Sequence, residues 1–131
     1  MVGEVSKMTE LVLSCLPKTW LIDIDGVVLK HNGYKEGKEE FLPGAKEFWQ
    51  QISEEDWVIL ITARQERMRE STLALFDALG LRYNVAIFGA PKGERICIND
   101  RKPSGLEMSH AVNLVRDIGL IEVKTKIDKN K

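Results

Sequence analysis

Two carboxylates separated by a single residue are the first candidates for chemistry. Asp23 and Asp25 end an apolar run, Trp20–Ile22, and Gly26 follows them directly. Apolar residues bounded by a turn residue predict a buried strand, and an unpaired charge is costly inside one. We therefore place both carboxylates at the carboxyl end of the strand, where an open α/β sheet has its ligand crevice. Either they are solvated acids of an Asp-Gly turn, or they act together as a metal-assisted nucleophile and its acid–base partner.

Polar side chains also follow each later apolar run that predicts a strand. The runs and the residues after them are Trp57–Ile61 with Thr62, Val85–Phe88 with Lys92, and Arg95–Ile98 with Asn99 and Asp100. The ends of parallel strands share one edge of a sheet, so we expect these side chains to meet Asp23 and Asp25 there. Taken alone, each has a plainer interpretation; a threonine after a strand, for example, is usually a helix cap.

Helical patterns separate the predicted strands. Apolar residues recur at helical spacing in four places, near Met8–Leu16, after Pro43-Gly44, at about Gln65–Leu79 and at about Met108–Ile118. Strands that alternate with helices of this length predict βαβ units and a mainly parallel sheet. The fold class is therefore α/β.

Residues 1–131 are predicted to form a single domain. Residues 27–42 combine glycines with charges of both signs and predict an irregular flap, whose His31, Asn32 and Tyr34 are the nearest candidates for substrate specificity. The intervals between the candidate site residues are filled by this flap, helices and strands, so there is no room for a cap domain. The site would be open unless a second subunit of a homo-oligomer covers it. Residues 124–131 predict a frayed tail.

Composition limits the partners. Nineteen basic and twenty acidic residues give a net charge of −1, which provides no overall field for nucleic acid or an anionic membrane. No apolar run approaches the roughly 20 residues of a membrane span, and charged residues interrupt the beginning of the chain, so we expect no signal peptide. Cys15 and Cys97 lie far apart in apolar surroundings, which indicates buried, reduced thiols and a cytoplasmic protein.

The ordered set of motifs resembles the haloacid dehalogenase (HAD) superfamily of phosphotransferases over about Thr19–Gly119. The four motifs are Asp23-x-Asp25-Gly26, the apolar strand that ends on Thr62, a lysine near position 92, and Asn99-Asp100. Within the superfamily, the chain is similar to the small cap-less phosphatase-like proteins linked to polysaccharide or lipopolysaccharide genes. The resemblance implies a three-layer α/β/α sandwich with a Rossmann-like, HAD-like sheet, in which the Asp23 strand is central.

The resemblance also implies a reaction and a role for each residue. The activity would be Mg²⁺-dependent hydrolysis of a small-molecule phosphate monoester, such as a sugar phosphate, through an aspartyl-phosphate. Asp23 would attack phosphorus, and Asp25 would protonate the leaving group and then activate water. Mg²⁺ would be held by three residues, Asp23, the backbone carbonyl of Asp25, and Asp100. The phosphoryl group would be bound by the Thr62 hydroxyl, the following amides of Ala63 and Arg64, and Lys92.

Departures from the family pattern leave alternatives open. Relatives often carry the lysine directly after the glycine, where this chain has Ala90, so Lys102 rivals Lys92. Family members commonly have two acids at the fourth motif, and Asn99 in the first position leaves one charge fewer. A non-catalytic HAD-like module that binds a phosphorylated ligand or a partner protein is the alternative function. A response-regulator receiver domain is disfavoured, because no acid follows the strand Val58–Ile61.

Overall fold

The computed structural model describes residues 8–131, in which five strands form two parallel sheets. The strands are β1 (Thr9–Leu13), β2 (Thr19–Asp23), β3 (Trp57–Ile61), β4 (Val85–Ile87) and β5 (Val123–Ile127). The helices are α1 (Ala45–Trp49) and α2 (Arg69–Leu79), and a 3₁₀ turn, Glu66–Met68, leads into α2. The larger sheet has the order β2-β3-β4, and the smaller pairs β1 with β5. The fold is mixed α/β with parallel sheets, as the sequence predicts.

The larger sheet brings two predicted site segments to one edge. β2 and β3 pair in parallel with Asp23 opposite Ile61, so Thr62 follows β3 directly beside the end of β2. β3 is the central strand of this sheet, because it pairs in parallel with β2 on one edge and with β4 on the other. The expectation that the Asp23 strand is central is therefore wrong for the described residues, in which β2 pairs with β3 alone.

The two faces of the larger sheet differ in burial because successive side chains point to opposite sides. One face carries Ile22 and Leu60, which are buried. The other carries Leu21 and Trp57, which are each about half exposed at 52% and 53%. The main core therefore lies on the first face, and its buried members include Ile24, Val28, Leu29, Phe48, Trp49, Val58 and Phe76.

The two helices form where the sequence predicts them, and aromatic rings join them to the core. Trp49 of α1 packs edge-on against Phe76 of α2, with ring centroids 6.3 Å apart. α2 ends at Gly80, whose φ of 73° is a left-handed conformation that glycine adopts without a Cβ penalty. Gly44 precedes α1 with a φ of 89° and leaves no room for a Cβ against the backbone of Ile121. The glycine thus lets the chain after residue 118 pack on the start of α1.

The smaller sheet corrects two expectations, the helix over Met8–Leu16 and the frayed tail over 124–131. Thr9 lies opposite Val123 and Leu13 opposite Ile127 in a parallel pair. The segment forms a strand although its apolar residues have helical spacing, because Leu11–Leu13 is also a short apolar run that fits a strand. In β5, the residues Val123, Thr125 and Ile127 alternate with lysines, which is the period of a strand with one solvated face.

The segment 88–118 corrects further expectations. The strand over Arg95–Ile98 and the helix over Met108–Ile118 are both absent, and the chain runs through turns and irregular backbone instead. The Ile96 and Ile98 side chains are 82% and 91% exposed. Within the described chain, the backbone of 95–98 makes no interstrand hydrogen bond, and an alternating pattern becomes a strand only when an edge pairs with it.

The structure also bears on the two cysteines and on the absence of a membrane-spanning helix among the described residues. Cys15 and Cys97 are free but exposed, so the expectation of buried thiols is wrong. Each lies beside apolar residues that are themselves exposed, Leu16 and Ile96. In the part of the chain that the structure describes, no helix has the length and apolar character needed to cross a membrane.

Candidate active site

The Asp-Gly turn after β2 presents both carboxylates at the sheet edge. Ile24, between them, is fully buried, while Asp23 and Asp25 are partly exposed. The carbonyl of Ile24 accepts hydrogen bonds from the amides of Val28 and Leu29 at 2.9 and 3.0 Å. The backbone therefore curls around Ile24 and turns the flanking acids away from the core. A φ of 84° at Gly26 permits this sharp exit.

Asp25 and Thr62 meet as the sequence predicts. Thr62 Oγ1 donates to Asp25 Oδ2 at 3.2 Å, although the two residues are far apart in the chain. Thr62 is fully buried, and its Oγ1 also accepts from the Arg64 amide at 3.0 Å. The Ala63 amide has no hydrogen-bond acceptor within residues 8–131. Of the predicted phosphoryl-binding groups, the Ala63 amide is thus available, whereas the Arg64 amide is already engaged.

Arg64 lies inside the protein rather than facing a substrate. Its side chain is 0% exposed, and its guanidinium donates to Asp25 Oδ1 at 2.9 Å from Nη2 and at 3.1 Å from Nε. On the opposite side, Nη1 and Nη2 donate to the two carboxylate oxygens of Glu39 at 2.7 and 2.9 Å. Burial alone would lower the pKa of Arg64, but the hydrogen bonds to Glu39 and Asp25 outweigh it and raise the pKa above its usual value.

Asp23 is the accessible carboxylate of the pair. Its side chain is 44% exposed, and the charged group nearest to it is Arg95, whose Nη2 lies 3.9 Å from Asp23 Oδ1. Partial burial of the carboxyl group disfavours its charged form and raises the pKa of Asp23 above its usual value, although the positive charge of Arg95 opposes that shift. An oxygen nucleophile must be reachable by substrate and free of strong hydrogen-bond donors, and Asp23 meets both conditions better than Asp25 does.

The predicted site residues that follow β4 make no polar contact with the carboxylates of Asp23 and Asp25 in the described chain. Lys92, Asp100 and the rival Lys102 are all exposed on the segment 88–118. Among the described residues, the side chains of Lys92 and Asp100 make no hydrogen bond or ion pair with the Asp23 or Asp25 carboxylate. The structure therefore brings together Asp23, Asp25, Thr62, Ala63 and Arg64 and leaves the later motifs outside the group.

The Mg²⁺ expectation can be tested against the donors present. Within residues 8–131, no group of three or more His, Cys, Asp or Glu side chains is arranged to hold a metal ion. Asp23 is partly exposed, and no backbone amide among the described residues donates to the predicted ligand atom of Asp25, its backbone carbonyl oxygen. Mg²⁺ needs near-octahedral oxygen coordination, and one carboxylate with one carbonyl does not complete it. The residues as arranged do not fit a metal centre of their own.

Sequence reasoning missed two contributors to the site, Glu39 and Asp117. Glu39 lies in the mixed-charge flap, where nothing distinguishes it from its acidic neighbour Glu40. Asp117 accepts from the His31 amide at 2.8 Å through Oδ1, and its own amide donates to the Gly26 carbonyl at 2.9 Å. The distinguishing feature of Asp117 is its φ of 65°, a conformation that aspartate tolerates in turns. A dihedral angle cannot be read from the sequence, so nothing there marked this residue.

Comparisons of the chain with protein-family models, with curated proteins and with solved structures find no match. The resemblance to the haloacid dehalogenase superfamily therefore rests on the order and spacing of the sequence motifs. The site geometry has to be interpreted on its own chemistry.

Proposed function

We propose that the protein is a HAD-like phosphatase that hydrolyses a phosphate monoester through an aspartyl-phosphate on Asp23. The observation that carries the proposal is the pairing at the end of β2. An exposed carboxylate, Asp23, lies one residue from a second carboxylate, Asp25, whose orientation is fixed by Thr62 and Arg64. A free nucleophile beside a held acid–base group is the arrangement that such a two-step hydrolysis requires.

The proposed steps balance without a further reactant. Asp23 attacks phosphorus, the bond from phosphorus to the ester oxygen breaks, and the departing oxygen takes a proton from protonated Asp25. Water then gives a proton to Asp25 while its oxygen attacks phosphorus and releases Asp23. The products are an alcohol and inorganic phosphate. The Ala63 amide, which has no acceptor within the described residues, supports binding of a phosphoryl oxygen.

The substrate class stays a prediction of the resemblance, a small sugar phosphate of polysaccharide or lipopolysaccharide metabolism. Lys92 and Lys102 remain the two candidates for the lysine that balances the phosphate charge. The segment 88–118 already reaches the end of β2 through Arg95 and Asp117. For Lys92, Lys102 or Asp100 to act at Asp23, its own part of that segment has to come into contact with the Asp23 carboxylate or its substrate. A cytoplasmic location and a homo-oligomer that covers the site are likewise predictions from the sequence.

Mg²⁺ is part of the proposal but supplies no step in it. When bound, the ion would neutralise charge between Asp23 and the substrate. Asp23, the backbone carbonyl of Asp25 and the substrate's own oxygens would provide the first ligands, and Asp100 would have to join them. A three-layer sandwich is the corresponding proposal for the fold. It is supported by the apolar sheet face at Leu21 and Trp57, which a further layer would cover.

A second candidate function is a non-catalytic module that binds a phosphorylated ligand or a partner protein. It is favoured by one observation: the Asp25 carboxylate accepts three hydrogen bonds from Arg64, as a purely structural carboxylate would. In that case, Asp25 supports the turn and transfers no proton.

Hydrolysis of p-nitrophenyl phosphate, with and without Mg²⁺, separates the two candidates. Wild type should turn over, and Asp23→Asn should lower kcat by on the order of 10³-fold or more, because it removes the nucleophile. Asp77→Asn is the matched control, since Asp77 lies on α2 and its side chain bonds to Tyr83. Retention of wild-type turnover by Asp23→Asn would refute covalent catalysis there. Saturable binding of a phosphate ester without turnover would favour the binding module.

A further inference from the structure

A single guanidinium joins the flap to the proposed acid–base residue. Arg64 shares its donors between Asp25, at the end of β2, and Glu39, in the flap. Nη2 donates to both carboxylates at 2.9 Å, so any rotation of the guanidinium that breaks one bond disturbs the other. A planar fork of this kind transmits orientation from one partner to the next.

Two further contacts, one from α2 and one from the flap, keep the Arg64 guanidinium away from solvent. Its Nη1 donates to Thr72 Oγ1 on α2 at 3.0 Å, and the Tyr34 ring of the flap covers its Cζ at 4.6 Å from the centroid. The Glu39 side chain is 28% exposed, so it forms the outer wall of this cluster. Removing that wall leaves Nη1 with Thr72 and Nη2 with Asp25 alone.

We propose that Glu39 is a positioning residue for Asp25. By holding both terminal nitrogens of Arg64, Glu39 fixes the guanidinium plane, and the guanidinium in turn fixes the Asp25 carboxylate. The part of the Asp25 orientation that Arg64 provides therefore depends on the flap, in addition to the separate hydrogen bond from Thr62. The catalytic part of this inference rests on the proposed phosphatase function, whereas the mechanical part rests on the contacts alone.

The flap has other anchors, so loss of Glu39 should loosen the cluster without unfolding the flap. The Lys30 amide donates to the Glu40 carbonyl at 2.9 Å, and the Leu42 amide donates to the Val28 carbonyl at 2.8 Å. Both bonds involve backbone groups that a side-chain truncation at Glu39 retains. Glu40 contributes its carbonyl to this set, and it is exposed. Glu40→Ala therefore provides a matched control on the next residue.

The kinetic experiment compares Glu39→Ala with Glu40→Ala on p-nitrophenyl phosphate. Misplacing a reacting group by about 1 Å can cost about 100-fold, so kcat of Glu39→Ala should fall 10- to 100-fold, with KM within about twofold. Propionate should restore part of kcat in Glu39→Ala, because it can occupy the partly exposed space beside Arg64. Propionamide at the same ionic strength should not. An unchanged kcat, or a loss that propionate and propionamide affect equally, would overturn the catalytic part.

Amide hydrogen exchange tests the mechanical part without any activity. In Glu39→Ala, exchange of the Gly26 amide, which donates to the Leu29 carbonyl at 2.7 Å, should become at least severalfold faster. The same amide should be unchanged in Glu40→Ala. Equal exchange at Gly26 in both variants would overturn the coupling. If wild type hydrolyses no phosphate ester, the phosphatase proposal fails, and exchange at Gly26 still decides whether Glu39 controls the Asp25 turn.

Discussion

Replacement of Asp56 by alanine should be among the most destabilising single changes outside the candidate site. The residue ends the polar turn before β3, yet it is only 4% exposed. Its Oδ1 accepts from the Lys18 amide at 2.9 Å, and its Oδ2 accepts from the Trp20 indole Nε1 at 2.9 Å. Asp56 thus ties the start of β2 to the start of β3, the strands that position the site.

The loss of folding stability expected for Asp56→Ala follows from these two hydrogen bonds. A hydrogen bond to a charged acceptor contributes about 1.5–3 kcal/mol, and a donor left without a partner in a buried position adds to the loss. Lys18 and Trp20 are partly exposed, so water can reach the freed donors, and we expect a loss of about 3 kcal/mol. That is a large part of the roughly 5–15 kcal/mol by which domains are stable. The melting temperature should fall by roughly 10 °C.

Urea unfolding followed by tryptophan fluorescence measures the loss directly, since Trp20 itself reports on the site of the change. The control is Glu54→Ala, because Glu54 lies in the same turn but is exposed; it should change stability by less than about 0.5 kcal/mol. Asp56→Asn should lie between the two, because it keeps one acceptor oxygen and places an amide donor against another donor. Equal midpoints for Asp56→Ala and Glu54→Ala would refute the assigned role.

Three further outcomes are expected. If Asp100 joins Asp23 around Mg²⁺ when a phosphate mimic is bound, as proposed, Mg²⁺ with BeF₃⁻ should raise the melting temperature more than Mg²⁺ alone, and Asp100→Ala but not Glu54→Ala should remove the difference; a melting temperature indifferent to the pair would exclude a metal site at Asp23. In chelator-treated buffer, Asp23→Asn should stabilise the protein near neutral pH, since burial raises the pKa of Asp23 and disfavours its charge in the folded state. The gain should vanish as pH falls through the usual aspartate range, and chemical unfolding that shows a pH-independent gain would contradict this sign. Gly119→Ala should cost more stability in urea than Gly37→Ala, because both have positive φ but only Gly119 packs against another backbone; equal losses would mean that strain alone matters.

The central part of the fold was predictable because local and tertiary preferences agree there. β3 coincides with the apolar run Trp57–Ile61, and α2 ends at the glycine that can cap it. The run is short and rich in β-branched and aromatic residues, which favours a strand locally, and Gly80 stops a helix by its own dihedral freedom. The meeting of Asp25 with Thr62 then follows from the parallel pairing of β2 with β3.

Elsewhere, the outcome depends on partners that one sequence does not reveal. The pattern at Leu11–Leu13 suits a helix or a strand, and the pairing with β5 decides. The alternation at Ile96 and Ile98 suits a strand, but within the described residues no edge pairs with it. Arg64 is similar: its position after the strand predicts a phosphoryl-binding amide, whereas its buried side chain forms an ion pair with Glu39, which is distant in sequence. Long-range charge pairing of this kind leaves no periodicity to read.

The pairing of β1 with β5 sets the order in which the chain can fold during synthesis. The three strands of the larger sheet lie within Thr19–Ile87 and are available as soon as that part has emerged. β1 is made before them, but Thr9 has to wait for Val123. At roughly 5–20 residues per second, that wait lasts on the order of 10 s. During this time, the segment that becomes β1 has no partner strand and can pair instead with an exposed strand of another chain. A ribosome that stalls before Val123 would therefore leave a truncated chain in which the larger sheet can form but the β1 segment has no β5 to pair with.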